Sequence, residues 1–287
     1  MNPGLLYAGA AFIIWGLAPL YFREVASVHP LEMVLHRSAW SLAFMVIVMS
    51  VLRRWAWLPA LFQQPRQLAA LALSACLLTT NWFVYVWAVQ NGRVVESSLG
   101  YFINPLLNVL LGVVVLRERL RRLEWAAVGL AVLGVLWLTW QVGQPPWVAL
   151  TLAASFALYG LIRKTAPLGP LEGLTMENLV LAPIVIPALW AWTVWGSGAL
   201  NQPSTTPTLA LWILAAGPLT ALPLLLFAAG ARRLRLATLG LVQYLGPSLQ
   251  LLLGVWVFHE PFDGDRLVGF AFIWGALALY SASSLRR

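Results

Sequence analysis

Three ionisable side chains, His36, Arg37 and Glu177, stand inside long apolar runs. Burying such a group in hydrocarbon costs a few kcal/mol or more unless it is paired, so each is a functional candidate by its setting. Arg37 offers a planar fork that can grip a carboxylate bidentately. Glu177 suits an amine or a transported proton. The competing reading makes Arg37 an interfacial anchor that snorkels to the headgroups and Glu177 a structural ion pair. A second set is polar but uncharged: Asn81, Gln90, Asn91, Asn104, Asn108, Gln243, Tyr244 and Gln250. Asn81, Tyr101, Asn104, Gln243 and Tyr244 read as cavity residues, whereas Asn108 and Gln250 read equally well as interhelical hydrogen-bonding partners. Trp15, Trp82, Tyr85 and Tyr159 could line a cavity for a planar solute, although aromatic residues in such runs more often serve packing.

Signatures of covalent chemistry are missing. The run His259-Glu260-Pro261-Phe262-Asp263 begins like a zinc-protease motif but lacks the second histidine. The sequence contains neither a P-loop nor a G-x-S-x-G nucleophile. No catalytic residue, metal site or cofactor is expected, and the binding of a small solute is the chemistry left.

These residues must be positioned by elements made almost wholly of apolar side chains. Of the 287 residues 61% are hydrophobic and only 10% charged. Soluble domains carry about 25% charge, so a water-facing surface cannot be built from this chain. The net charge of +8 then reflects basic loops on one side of a membrane rather than nucleic-acid binding. A spanning helix needs about 20 apolar residues. That ruler finds ten stretches: 3–22, 31–52, 68–89, 97–116, 123–142, 144–162, 171–195, 208–230, 236–258 and 266–284. The first has no basic flank or cleavage site and reads as a retained helix. The expected fold is all-α and integral to the membrane.

Ten spans put both termini and the even-numbered loops on one side. That side collects Arg53, Arg54, Arg66, Arg117, Arg119, Arg121, Arg122, Arg163, Lys164, Arg232, Arg233, Arg235, Arg286 and Arg287, against Arg23, Arg93 and Arg266 opposite. By the positive-inside rule both termini are cytoplasmic. Trp55, Trp57, Trp125, Trp147 and Trp195 fall near span ends, where indoles anchor. The lone cysteine, Cys76, permits no intramolecular disulfide.

An internal repeat sets the architecture. Pro105–Glu118 and Pro247–Glu260 agree at eight of fourteen positions, including Pro, Gly and Glu. Trp15-Gly16-Leu17 mirrors Tyr159-Gly160-Leu161, and Leu31-Glu32 mirrors Leu171-Glu172. The chain divides into five-helix units, 1–143 and 144–287. Because five is odd, the second enters the membrane in the opposite sense, and inverted repeats are characteristic of alternating-access transporters. Asn104-Pro105 and Gly246-Pro247 are expected to break helices at equivalent depths, making Pro105 and Pro247 hinges. Arg37 and Glu177 fall at matching depths, each about 9 Å from the start of its span, the two spans entering from opposite faces. They are expected to mark the two mouths of one cavity without touching.

Several runs together resemble the RarD branch of the EamA family, in the drug/metabolite transporter superfamily. They are His36-Arg37-Ser38-Ala39-Trp40-Ser41, Asn81-Trp82, Ser98 through Leu106, Tyr159 through Lys164 and Leu234 through Pro247. The resemblance implies ten helices in two inverted EamA repeats, a bacterial inner-membrane location and permease activity toward small metabolites or drugs. The expected function is therefore secondary transport, with a small-molecule solute and the lipid bilayer as partners. Proton or counter-solute coupling and a monomer or weak homodimer go with it. The rival readings are a channel-like facilitator, a non-transporting scaffold and an intramembrane enzyme.

Overall fold

A computed structural model describes residues 2–91, 94–142, 147–196, 198–257 and 264–285. His259, Glu260 and Arg93 lie outside the described residues. Among those described, the structure is helical and contains no strand. The helices are α1 (Pro3–Glu24), α2 (Pro30–Val51), α3 (Trp57–Phe62), α4 (Pro65–Gln90), α5 (Val94–Val114) and α6 (Arg122–Val142). They continue with α7 (Trp147–Thr165), α8 (Pro170–Trp195), α9 (Pro207–Arg233), α10 (Leu236–Gln243), α11 (Leu245–Trp256) and α12 (Gly264–Leu285). Seven helices among the described residues are long and apolar enough to cross a membrane, and the apolar segments Leu99–Val114 and Leu267–Ser283 are shorter. The protein is thus a multi-pass membrane protein.

Proline and short polar residues set the starts. Five helices begin on proline (Pro3, Pro30, Pro65, Pro170 and Pro207), where the missing N–H would have had no partner and the fixed φ suits a helix. Asn2 accepts from the Gly4 N–H at 2.9 Å, and Thr206 from the Leu209 N–H at 3.2 Å. The start of α10 is capped from a distance: the Glu118 carboxylate accepts the N–H groups of Leu236 and Ala237 at 2.6 and 3.0 Å. A carboxylate there satisfies orphan donors and meets the positive end of the helix dipole.

The hinge expectation needs correction. Helix α5 runs unbroken through Pro105, because a proline removes only one interior hydrogen bond and neighbouring helices can absorb the loss. The ninth stretch does divide, but at Tyr244. Pro247 lies in the first turn of α11, where it costs little. Helix α3 and a 3-10 turn at Ala199–Asn201 add to the sequence reading.

Close packing joins the two halves of the chain. Helix α2 packs on α8 and α9, α5 on α7 and α10, α1 on α9 and α11, α4 on α7, and α6 on α12. Glycine permits the tightest crossings. A Cβ on Gly217 would lie 2.4 Å from the Trp40 carbonyl oxygen, and one on Gly134 would lie 2.9 Å from the Gly269 oxygen. Ala127 and Ala131 are fully buried in the α6–α12 seam, beside Ile273 and Ala276.

The bundle has two unlike faces. One gathers the start of α1, the ends of α2, α7 and α9, and the start of α8. There Arg54 pairs with Glu172 at 2.6 Å, Arg235 with Glu124 at 3.2 Å, and the Arg233 guanidinium covers the Tyr7 ring at 5.0 Å. The opposite face has Tyr21 donating to the Trp212 carbonyl and Glu32 accepting the Ala199 N–H. Trp140, Trp195 and Trp256 are strongly exposed at helix ends on that face. Trp125 and Trp147 are also exposed, as headgroup anchors would be.

Candidate functional site

A cavity of about 140 Å³ lies between α1, α2, α4, α5, α7, α9, α10 and α11. Its wall includes Trp15, Arg37, Asn81, Trp82, Tyr101, Asn104 and Pro247, with Gln243, Gln250 and Thr220 adding further polar groups. Tyr85, Phe12 and Phe156 add apolar surface. The lining residues occupy the middle of α1 and α9, the second half of α4 and the first halves of α2, α5 and α7, so the cavity lies at mid-bundle and toward the face opposite the basic one.

Arg37 is the only charged residue among the lining residues. Its Nε donates to Thr220 Oγ1 at 3.1 Å, and its guanidinium stands 5.0 Å from the Trp82 ring and 5.5 Å from Phe22. Aromatic faces stabilise a cation electrostatically without neutralising it. No acidic side chain pairs with Arg37 among the described residues. The guanidinium therefore retains capacity for an anionic or strongly accepting group.

The polar side chains are fixed by backbone and by one another. Asn81 Nδ2 donates to the Leu152 carbonyl at 2.8 Å and to Ser155 Oγ at 3.0 Å, tying α4 to α7. Asn104 Nδ2 donates to the Ala153 carbonyl at 2.7 Å. Asn108 Nδ2 donates to both Asn104 Oδ1 and Gln243 Oε1, at 3.1 and 3.0 Å. Gln250 Nε2 donates to the Trp15 carbonyl at 3.1 Å. These bonds hold the amides in defined orientations at the wall, and Asn108 serves as the support behind Asn104 and Gln243.

Four expected site residues and one expected hinge do not line this cavity: His36, Tyr159, Glu177, Tyr244 and Pro105. His36 turns toward Glu32, 3.4 Å away, and its Nδ1 accepts from Trp40 Nε1 at 3.2 Å. The Tyr244 hydroxyl donates to the Phe102 carbonyl at 3.1 Å. Tyr159 is fully buried, stacked on Phe227 at 5.9 Å. Glu177 is buried with Arg163, whose Nη1 lies 3.6 Å from Glu177 Oε1, and it accepts from Ser74 Oγ at 2.5 Å.

Sequence reasoning missed two kinds of partner. Thr220 is an isolated hydroxyl in an apolar helix, with nothing to distinguish it from a structural threonine. Arg163 reads as a loop cation because Lys164 and the end of α7 follow at once. In the structure it is 1% exposed. Its guanidinium lies over Gly173, where a Cβ would come within 1.7 Å of Nη1.

Residues 2–140 match the EamA-like transporter family. The chain is similar to Protein RarD of Escherichia coli K12, with 45% identity over 96% of this chain and 93% of that protein. It is 43% identical to the uncharacterized transporter YojE of Bacillus subtilis, over 99% of this chain and 95% of that one. A chloramphenicol-sensitive protein RarD of Pseudomonas aeruginosa is 32% identical over 99% and 95% of the respective chains. A solved structure described as a crystal structure of a protein superposes with a TM-score of 0.72 over 99% of both chains, at 20% identity. That likeness shows the fold alone.

Proposed function

The chain belongs to the RarD branch of the EamA-like transporter family, and from that premise we propose that it is a secondary-active transporter working by alternating access through the central cavity. The observation that carries this reading is the cavity itself, an aromatic-walled chamber whose one charge, Arg37, has no acidic partner among the described residues. A membrane-buried charge left for something else to meet marks a solute pathway. The solute is a small amphipathic metabolite or drug. Its anionic or accepting group sits on Arg37, its apolar body lies against Trp15, Trp82 and Tyr101, and its remaining polar atoms meet Asn81, Asn104 and Gln243. Proton or counter-solute exchange supplies the energy. The protein works as a monomer or weak homodimer in the bacterial inner membrane, and it is not an enzyme.

The architecture is ten spans in two inverted repeats, 1–143 and 144–287, with both termini cytoplasmic. Support comes from the pairing of helices. Under the repeat, α1 corresponds to α7, α2 to α8, α4 to α9, α5 to α10 with α11, and α6 to α12. A pseudo-two-fold axis then requires α2–α8, α5–α10 and α6–α12 to pack as self-equivalent pairs. It also requires α5–α7 to have α11–α1 as its image, and α1–α9 to have α7–α4. All these pairs are in contact. With the basic face cytoplasmic, as the positive-inside rule favours, the cavity faces outward.

A thermal-shift screen of purified protein tests the solute assignment, because a ligand that binds only the folded state raises the melting temperature. Small amphipathic carboxylates should raise it, and the matching amines should not. The shift should vanish in Arg37→Gln. Stabilisation by amines that survives in Arg37→Gln would contradict the assignment.

A further inference from the structure

The buried cluster around Glu177 is not used by the solute cavity, and its polar atoms are incompletely satisfied. Glu177 Oε2 and Arg163 Nε are buried without a hydrogen-bond partner among the described residues, and Arg163 Nη1 reaches Glu177 Oε1 only as an ion pair at 3.6 Å. Such atoms cost about 1–3 kcal/mol each, and a concentration of them in one place calls for a role. Arg163 Nη2 donates to the Pro170 carbonyl at 3.1 Å, which holds the guanidinium while Nη1 faces the carboxylate. The Tyr159 hydroxyl faces the same carboxylate.

The cluster's place in the bundle is between two hollows. On α4, Ser74 lies about one turn from Leu78 in the floor of the central cavity. In the other direction it lies about one turn from Ala70 and Leu71, which line a second cleft at the basic face. On α7, Tyr159 and Arg163 stand between Phe156 of the cavity and Thr165 and Ala166 of the cleft. The cluster also mirrors the open site. Arg37 of α2 bonds the Thr220 hydroxyl of α9, while Glu177 of α8 bonds the Ser74 hydroxyl of α4. One of these charge–hydroxyl pairs lines the open cavity, and the other is sealed.

We propose that the Ser74, Tyr159, Arg163 and Glu177 cluster is a proton-binding site, separate from the solute site, whose protonation at Glu177 releases the closed gate on the basic face. The inference rests on the alternating-access reading above. One proton from water at the basic face adds to the Glu177 carboxylate, and no other covalent bond changes. Arg163 keeps its charge and its bond to Pro170, so the cluster passes from neutral to singly positive. The attraction that joins α7 to α8 at this point is then lost.

Other charged groups around Glu177 are already engaged or distant. On its own helix Glu172 is taken by Arg54, and Asn178 donates to Ser41 of α2 at 3.2 Å. Helix α2 carries Glu32, His36 and Arg37 toward the opposite face, with His36 against Glu32. The charged residue of α4 is Arg66, two turns beyond Ser74. Arg232 of α9 donates to the Ala166 and Leu168 carbonyls, and Lys164 of α7 to those of Ala231 and Leu234.

Cysteine accessibility tests the proposal without knowledge of the solute. In a Cys76→Ser background, Leu71→Cys reports the cleft and Ala18→Cys the central cavity. Each is labelled in membrane vesicles with a charged, impermeant maleimide from mildly acidic to mildly alkaline pH, with rates normalised to a free thiol. Acidification should speed labelling at Leu71→Cys by about tenfold and slow it at Ala18→Cys, as expected when a minor state becomes populated. Adding Glu177→Gln should make the Leu71→Cys rate fast at every pH, whereas Glu177→Asp, which keeps a carboxylate, should retain a pH step. A flat profile with Glu177 present, or a step that survives in Glu177→Gln, overturns the proposal. A Leu71→Cys step without any change at Ala18→Cys upholds the proton site and contradicts alternating access. Reciprocal labelling that ignores pH upholds alternating access and overturns the proton site.

Discussion

Replacing Arg37 with glutamine should leave the protein folded and nearly abolish transport. Among the described residues Arg37 makes one hydrogen bond to a neutral hydroxyl and two contacts with ring faces. Glutamine keeps a donor near Thr220 and removes a desolvated charge, so the folded state loses little. The solute loses its charge-assisted hydrogen bonds. Each is worth about 1.5–3 kcal/mol, so affinity should fall about ten- to a hundredfold for one bond and further for two. Arg37→Lys retains the charge but not the planar fork and should fall between. Initial uptake rates measured beside melting temperatures separate these outcomes. A variant that melts like the wild type and transports at its rate would reduce Arg37 to an anchor.

Gly217→Ala carries the second large effect, and it acts through the backbone. The new methyl group would meet the Trp40 carbonyl oxygen at 2.4 Å and its carbonyl carbon at 2.6 Å. Neither is the end of a flexible side chain, so α2 and α9 must part. Overpacking of this kind costs about 1–3 kcal/mol. The change also reaches the site, because Trp40 lies one turn from Arg37 on α2 and Gly217 one turn from Thr220 on α9. Stretching that seam lengthens the hydrogen bond that orients the guanidinium. Melting temperature and transport should therefore both fall. Gly129→Ala and Gly275→Ala serve as controls, since a Cβ there meets nothing within 4 Å. They should hold or gain stability, as alanine favours helix over glycine by up to about 1 kcal/mol. Equal behaviour of all three would mean that the α2–α9 crossing is looser than described.

The helices and the cavity were legible in the sequence to different degrees. Apolar runs of about 20 residues mark the helices, because the thickness of the hydrocarbon core sets their length. Arg37, Asn81, Trp82, Tyr101, Asn104 and Gln243 were legible as site candidates because polar and aromatic side chains are conspicuous in an apolar helix. What could not be read was which way each one points. These helices are apolar nearly all round, so periodicity does not single out a cavity-facing side. Tyr101 faces the cavity, while Tyr244 faces Phe102 and Tyr159 faces Phe227. Depth was equally hidden for Arg163. Its neighbours place it at a helix end, and its burial follows from the packing of Gly173 beneath its guanidinium together with its pairing to Glu177 and the Pro170 carbonyl. The break at Tyr244 escaped for a related reason, since no proline or glycine occupies that residue and the signal pointed three residues on.

Counterflow in proteoliposomes tests the central claim most directly. Vesicles are loaded with an unlabelled solute found by thermal shift and diluted into a trace of labelled solute. A carrier that alternates around the Arg37 cavity should give a transient, saturable accumulation of label above equilibrium, and Arg37→Gln should erase it. A monotonic, non-saturable approach to equilibrium that is unchanged in Arg37→Gln would contradict the account and identify a pore elsewhere in the bundle.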